Sequence, residues 1–191
     1  MTQFDPRTTA LVLIDLQNGI VQLPVVPYSG AEVLAAGRDL AKRFRAAGAP
    51  VVLVHVGFAP DFADAPKQLV DQPTPFPEGG LPAGWSDLCE GLAQPSDIVI
   101  FKRQWGAFHG TALDLQLRRR GVKTIVIGGI STNIGVESTV RAGWEHGYEM
   151  VVVEDACASN LSADLHNVAF QHIFPRISRI KKSAEIGFTT A

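Results

Sequence analysis

Three places in this sequence hold side chains whose types and settings suit catalysis. Asp15 directly follows the apolar run ALVLI, residues 10–14, and Lys102 directly follows DIVIF, residues 97–101. Desolvation at the end of a buried run raises a carboxyl pKa, and a neighbouring ammonium lowers it, so the two together tune an acid–base group. Lysine rarely finishes a buried strand without a partner. The third place is TIVIGGISTNIGVEST, residues 124–139. Ile125–Ile127 reads as a short strand broken by a tight turn at Gly128-Gly129, and Ser131, Thr132 and Asn133 follow as candidate helix caps. Val136, Val140 and Trp144 then fall at helical spacing. A helix starting near Gly135 presents free N–H groups and the positive end of its dipole, which suits an anion or an oxyanion. Where a nucleophile would stand, the residue is Gly135.

Each of these residues also has a plain structural reading. A lone Asp after a strand caps turns, Gln17 binds a ligand or simply a loop, and Trp105, Ala107 and Phe108 form either a pocket wall or core. GGISTNIG lacks the G-x-G-x-x-G spacing of a dinucleotide site and the Lys-Ser/Thr of a phosphate loop. The five histidines form no metal signature, so neither cofactor nor metal is expected. His55 reads as a core histidine, and His109 lies nearer the Lys102 loop. Cys157 has no histidine near it in sequence to act as base and reads as structural.

The elements that must position these groups alternate along the chain. Strands are expected at Ala10–Ile14, Val51–Val56, Asp97–Phe101, Thr124–Ile127, Met150–Val153 and Ile177–Ile180. Helices are expected at Ala31–Ala47, Thr111–Arg120, Asn133–His146 and Ser162–Phe174. The alternation predicts a parallel sheet with helices on both faces, in one domain over residues 1–191, and it brings Asp15, Lys102 and Gly129–Gly135 to one sheet edge. Phe58 to Pro95 is a long connection rich in proline, glycine and acidic residues but carrying aromatics, and it reads as a lid or pocket wall.

Composition narrows the function classes. Net charge is −2 with a pI of about 6.2, which offers nothing for nucleic acid or an acidic membrane surface. Arg118-Arg119-Arg120 reads as a solvated helix end. Two cysteines make no disulfide framework. MTQFDPRTTA lacks the pattern of a signal peptide, and no apolar run reaches the ~20 residues of a membrane span. A cytoplasmic protein acting on a small molecule is the expectation.

Together the pieces resemble the isochorismatase-like hydrolase superfamily, also called the cysteine hydrolases. ALVLIDLQNGI, FKRQWGAFHGT and GGISTNIGVESTVRAGWEHGYEMVVVEDACAS carry the resemblance, in that order, over nearly the whole chain. It implies a three-layer α/β/α, Rossmann-like fold with a six-stranded, mainly parallel sheet, and assembly as a homodimer or higher homo-oligomer. Most members use an Asp, a Lys and a Cys to hydrolyse amides, imides or related bonds. Asp15 and Lys102 match the first two, and the Cys position falls on Gly135. Without a thiolate no thioester forms. Isochorismatases proper also carry glycine there; their Asp acts as a general acid on a vinyl ether, releasing pyruvate and a dihydroxycyclohexadiene carboxylate. The resemblance further implies a non-proline cis peptide at Ile130–Ser131, with the N–H groups of Ser131 and Gly135 turned into the pocket as an oxyanion hole. Gln17, Trp105, Phe108, Ile130, Ser131 and Asn133 are the implied substrate contacts. The zinc of the nicotinamidase branch needs an Asp and several histidines after the second strand, whereas this chain reads HVGFAPDFADA, so no catalytic zinc is expected. Three functions stay open: thiol-free hydrolysis of isochorismate type, ligand binding without catalysis, and a cysteine amidohydrolase whose Cys has been replaced by Gly135.

Overall fold

A computed structural model describes residues 2–189. Six strands form the central sheet: β2 (Thr9–Ile14), β3 (Val51–Val56), β4 (Ile98–Lys102), β5 (Thr124–Ile130), β6 (Glu149–Ala158) and β7 (Arg179–Lys181). All neighbours pair in parallel, in the order β4-β3-β2-β5-β6-β7. The chain therefore builds outward from β2 in one direction, returns, and builds outward from β5 in the other. The switch point lies between β2 and β5, and sheets of this kind bind ligands beyond the strand ends at such a point. Short β1 (Thr2–Phe4) and β8 (Ile186–Phe188) form a separate parallel pair, which the hydrophobic pattern gave no sign of.

β2 and β5 are buried along their whole length, as central parallel strands covered on both faces must be. Their side chains alternate between two cores. Leu11, Leu13, Leu53, Val126 and Val151 pack on α2 (Gly30–Ala46), which follows the one-turn α1 (Asn18–Val21), through Val33, Leu40 and Phe44. Val12, Ile14, Val54, Ile127 and Val152 face Leu113 and Leu117 of α3 (Leu113–Arg119), Val140 of α4 (Glu137–Glu145) and Phe174. The expected three-layer α/β/α architecture is the observed one. Helix α2 opens with a capping box between Ser29 and Glu32, and the chain turns away at Gly48 with φ of 72°. No helix among the described residues is long and apolar enough to cross a membrane.

The expected boundaries hold near β2 and β3 and shift near the site. β5 does not end at Ile127. It runs on to Ile130, because Gly128 and Gly129 allow close approach rather than a turn. A Cβ on Gly128 would lie 2.9 Å from the Ala156 carbonyl oxygen, and one on Gly129 would lie 2.1 Å from that of Ile14. The register against β6 shifts at this point, as at a β-bulge. The expected helix from Asn133 begins instead as a π-helical turn, Thr132–Val136, before α4. Trp144 is 52 % exposed rather than inward. Two four-residue steps from Val136 each overshoot the 3.6-residue period, so Gly143 takes the buried place. The expected helix Ser162–Phe174 is three pieces: α5 (Ala163–Val168), a second π-helical turn (Ala169–Ile173) and α6 (Phe174–Ile177).

Candidate active site

Asp15 and Lys102 meet. Both are buried, and Lys102 Nζ donates to Asp15 Oδ2 at 2.8 Å across the end of β3. Asp15 stands one residue past β2 with φ of 54°, in the left-handed region that Asp tolerates better than most residues. Its N–H is satisfied by the Val54 carbonyl at 2.9 Å. Lys102 Nζ also donates to the Gln104 carbonyl at 3.1 Å. Asp15 Oδ1 is buried and has no hydrogen-bond partner among the described residues. Burial pushes the Asp15 pKa up to about 6, against the pull of the Lys102 charge and its hydrogen bond. The carboxyl is thus poised to hold or give up a proton near neutral pH.

Gly135 completes the arrangement. A Cβ placed on it would lie 3.0 Å from Ile14 Cγ2, 3.2 Å from Asp15 Oδ2 and 3.4 Å from the Trp105 carbonyl oxygen. The turn Thr132–Val136 therefore sets its glycine against the Asp15 carboxyl, at the switch point. Thr139, which the sequence reading passed over, locks this geometry: its Oγ1 donates to the Gly135 carbonyl at 2.7 Å and accepts from Ala107 N–H at 3.1 Å. Its sign in the sequence was only its place four residues beyond Gly135. His166 was also missed; its Nδ1 shares a 2.8 Å hydrogen bond with Thr132 Oγ1, and burial lowers its pKa.

The remaining expected contacts divide. The Ile130–Ser131 peptide is cis, and Ser131 and Asn133 lie on the strand end and turn that carry Gly135. Ile130 is buried in the core beside them. Trp105 brings its carbonyl to the site while the residue as a whole is 63 % exposed. Phe108 does not line this site: it is buried, with its ring 5.0 Å from that of His146 and 5.8 Å from that of Tyr148, near the end of α4. The aromatic spacing fitted core as well as wall, and core is where it went. Gln17 is fully buried and its amide is spent on backbone, giving to the Val56 and Trp85 carbonyls and accepting from Val56 N–H. It ties β3 to the long connection instead of facing substrate.

That connection runs without helix or strand from β3 to β4 and is anchored at both ends. Near its start Phe58, Phe62 and Phe76 form an aromatic cluster, and Arg103, next to Lys102, pairs with Asp64. Near its end Trp85 packs on Gly19, and Leu88 bridges Gln17. His55 is half-buried, with Nδ1 against the Ser86 carbonyl at 2.7 Å. Both cysteines are free and buried; burial pushes the Cys157 thiol up to about 12 and also raises that of Cys89. Neither is an activated nucleophile.

Comparison with known proteins decides the family. The model of the isochorismatase domain matches residues 9–185. The chain belongs to the isochorismatase family. It is 52 % identical to the uncharacterized isochorismatase family protein YecD of Escherichia coli O157:H7, over 97 % of this chain and 98 % of that one. Among solved structures, an isochorismatase family protein from Burkholderia thailandensis superposes with a TM-score of 0.90 at 48 % identity, covering 96 % of this chain and 95 % of that one. The ureidoacrylate amidohydrolase RutB of Methylobacterium radiotolerans is 31 % identical over 88 % of this chain and 74 % of its own length. This chain is accordingly a hydrolase of the isochorismatase family, with amidohydrolases among its relatives.

Proposed function

We propose that this hydrolase cleaves a vinyl ether of isochorismate type by acid catalysis at Asp15, with no covalent intermediate on the protein. The observation that carries the reading is the seating of Gly135 against a buried Asp15 whose Oδ1 has no partner among the described residues. Asp15 gives its proton to the terminal vinyl carbon, and the ether carbon becomes an oxocarbenium centre. Water adds to that carbon and returns a proton to the carboxylate. The resulting hemiketal collapses to pyruvate and a dihydroxycyclohexadiene carboxylate, so atoms and protons balance. Lys102 holds Oδ2 and offsets the carboxylate charge while the proton is away. The N–H groups of Ser131 and Gly135 receive a substrate oxygen, and Trp105 with part of the long connection forms the outer wall.

The amidohydrolase relative raises amide hydrolysis as a second reading. In this chain that route lacks its nucleophile if Gly135 stands where thiol-bearing members carry theirs. A side chain there would crowd the Asp15 carboxylate, and the two existing thiols are buried with raised pKa values. A purely ligand-binding role leaves the desolvated Asp15–Lys102 pair without a chemical reason. The test is pyruvate release from isochorismate by coupled assay, wild type beside Asp15→Asn, with folding of both checked by circular dichroism. Turnover lost in the folded variant supports the acid role. Substantial turnover surviving in it overturns that role, and none in the wild type removes isochorismate.

A further inference from the structure

One buried histidine, His166 of α5, touches both π-helical turns. Its Nδ1 shares a hydrogen bond with Oγ1 of Thr132, the first residue of the turn that carries Gly135. Its ring lies 4.6 Å from that of Phe170 in the second turn, and Phe170 packs edge-on against Phe174 at 4.9 Å. A π-helical turn is rare and persists where its surroundings fix it. Here the Val136 N–H reaches back five residues to the Ser131 carbonyl at 3.1 Å, and Thr139 holds the Gly135 end. His166 holds the opposite end. A second tie runs alongside it: Ser159 Oγ accepts from the Leu161 and Ser162 N–H groups at the start of α5 and donates to Asn133 Oδ1 at 2.7 Å.

Stability alone gives no reason for a histidine at this place. Its Nε2 is buried with no hydrogen-bond partner among the described residues, while Thr132 is fully buried and spends its hydroxyl on Nδ1. A buried polar atom left unpaired typically costs more than one hydrogen bond returns, and replacing both partners by apolar groups of the same shape is close to neutral. A phenylalanine facing a valine would fill the same space, stack on Phe170 and leave neither side chain with an unpaired polar atom. What that pair could not do is fix the turn by a directional bond. We infer that His166 is a positioning residue: through Thr132 it holds the π-helical turn so that Gly135 stays seated against the Asp15 carboxyl. It acts on the reaction only through that seat.

The role rests on Asp15 being the acting acid, as in the proposed function, but its first readout needs no substrate. Burial is what raises the Asp15 titration, and a loosened turn lets water reach the carboxyl and lowers the midpoint. In His166→Phe/Thr132→Val, followed by carboxyl-carbon NMR of aspartate-labelled protein, the midpoint should fall by about 0.5 pH unit or more. The same variant should unfold at or near the wild-type temperature. His166→Asn, whose carboxamide sets a hydrogen-bonding atom close to the position of Nδ1, should keep the wild-type midpoint. With isochorismate, kcat of the double variant should fall about tenfold or more with little change in KM, as for a misplaced acid rather than lost binding. If no protein turns over isochorismate while the midpoints move as stated, the positioning role stands and the vinyl-ether reading fails. A wild-type midpoint in the double variant overturns the role, as does an equal fall in His166→Asn, or an undiminished kcat where the wild type is active. A double variant that fails to fold also overturns it, since the bond would then be kept for stability.

Discussion

Replacing the buried pair Asp15–Lys102 by Asn and Met together separates a pair kept for chemistry from one kept for stability. The structure supplies the magnitude. With its pKa at about 6 instead of 3.8, keeping Asp15 ionised in the folded chain costs about 3 kcal/mol at neutral pH. The sign follows from proton binding. Between pH 3.8 and about 6 the folded chain holds a proton that the unfolded chain has released, so the Asp15 contribution falls as pH rises through that window. It is unfavourable above the window and absent below it. Replacing a buried ion pair by neutral groups of similar volume is often neutral or stabilising by about 1–4 kcal/mol, whereas breaking it from one side costs about 3–5 kcal/mol. Urea unfolding followed by tryptophan fluorescence should thus find Asp15→Asn/Lys102→Met at least as stable as wild type at pH 7.5. Its advantage should shrink by about 3 kcal/mol toward pH 4. Lys102→Met alone should be clearly destabilised at pH 7.5, and the double variant should be inactive. A double variant that loses about 3 kcal/mol or more at pH 7.5 would show that the pair holds the fold together, and the catalytic reasoning would fail.

The other predictions concern thiols. Gly135→Cys should fold with reduced stability, by about 1–3 kcal/mol, because its Cβ crowds Ile14 and the Asp15 carboxylate, and it should gain no amidase activity. Efficient amide hydrolysis by that variant would mean a cysteine-hydrolase site that has merely lost its nucleophile. Wild-type turnover should likewise withstand iodoacetamide, since Cys89 and Cys157 are buried with raised pKa values.

The sheet was legible because continuous apolar runs such as ALVLI have few places to go except a doubly covered strand, and Asp15 and Lys102 could be assigned to one edge from their positions alone. Strand order decided whether they met, and no local pattern encodes it. The glycines at 128 and 129 misled for a related reason. Locally they signal a turn, but here they serve neighbours, Ile14 and Ala156, that are remote in sequence. Gln17 and Phe108 show the same limit, since a buried amide or ring reads alike whether a ligand or the protein itself satisfies it. The locking roles of Thr139 and Ser159 depend on backbone groups brought near by folding, and a single hydroxyl in a sequence carries no mark of that.

Catalysis of this kind needs Asp15 to be a proton donor near neutral pH, and that can be measured without any substrate. Carboxyl-carbon NMR of protein labelled with ¹³C at aspartate, with the Asp15 resonance assigned by its absence in Asp15→Asn, gives the titration directly. A midpoint near pH 6, moving upward in Lys102→Met, is the predicted result. A midpoint at or below that of a solvated aspartate, about 3.9, would contradict it and leave Asp15 as an ordinary ion-pair partner.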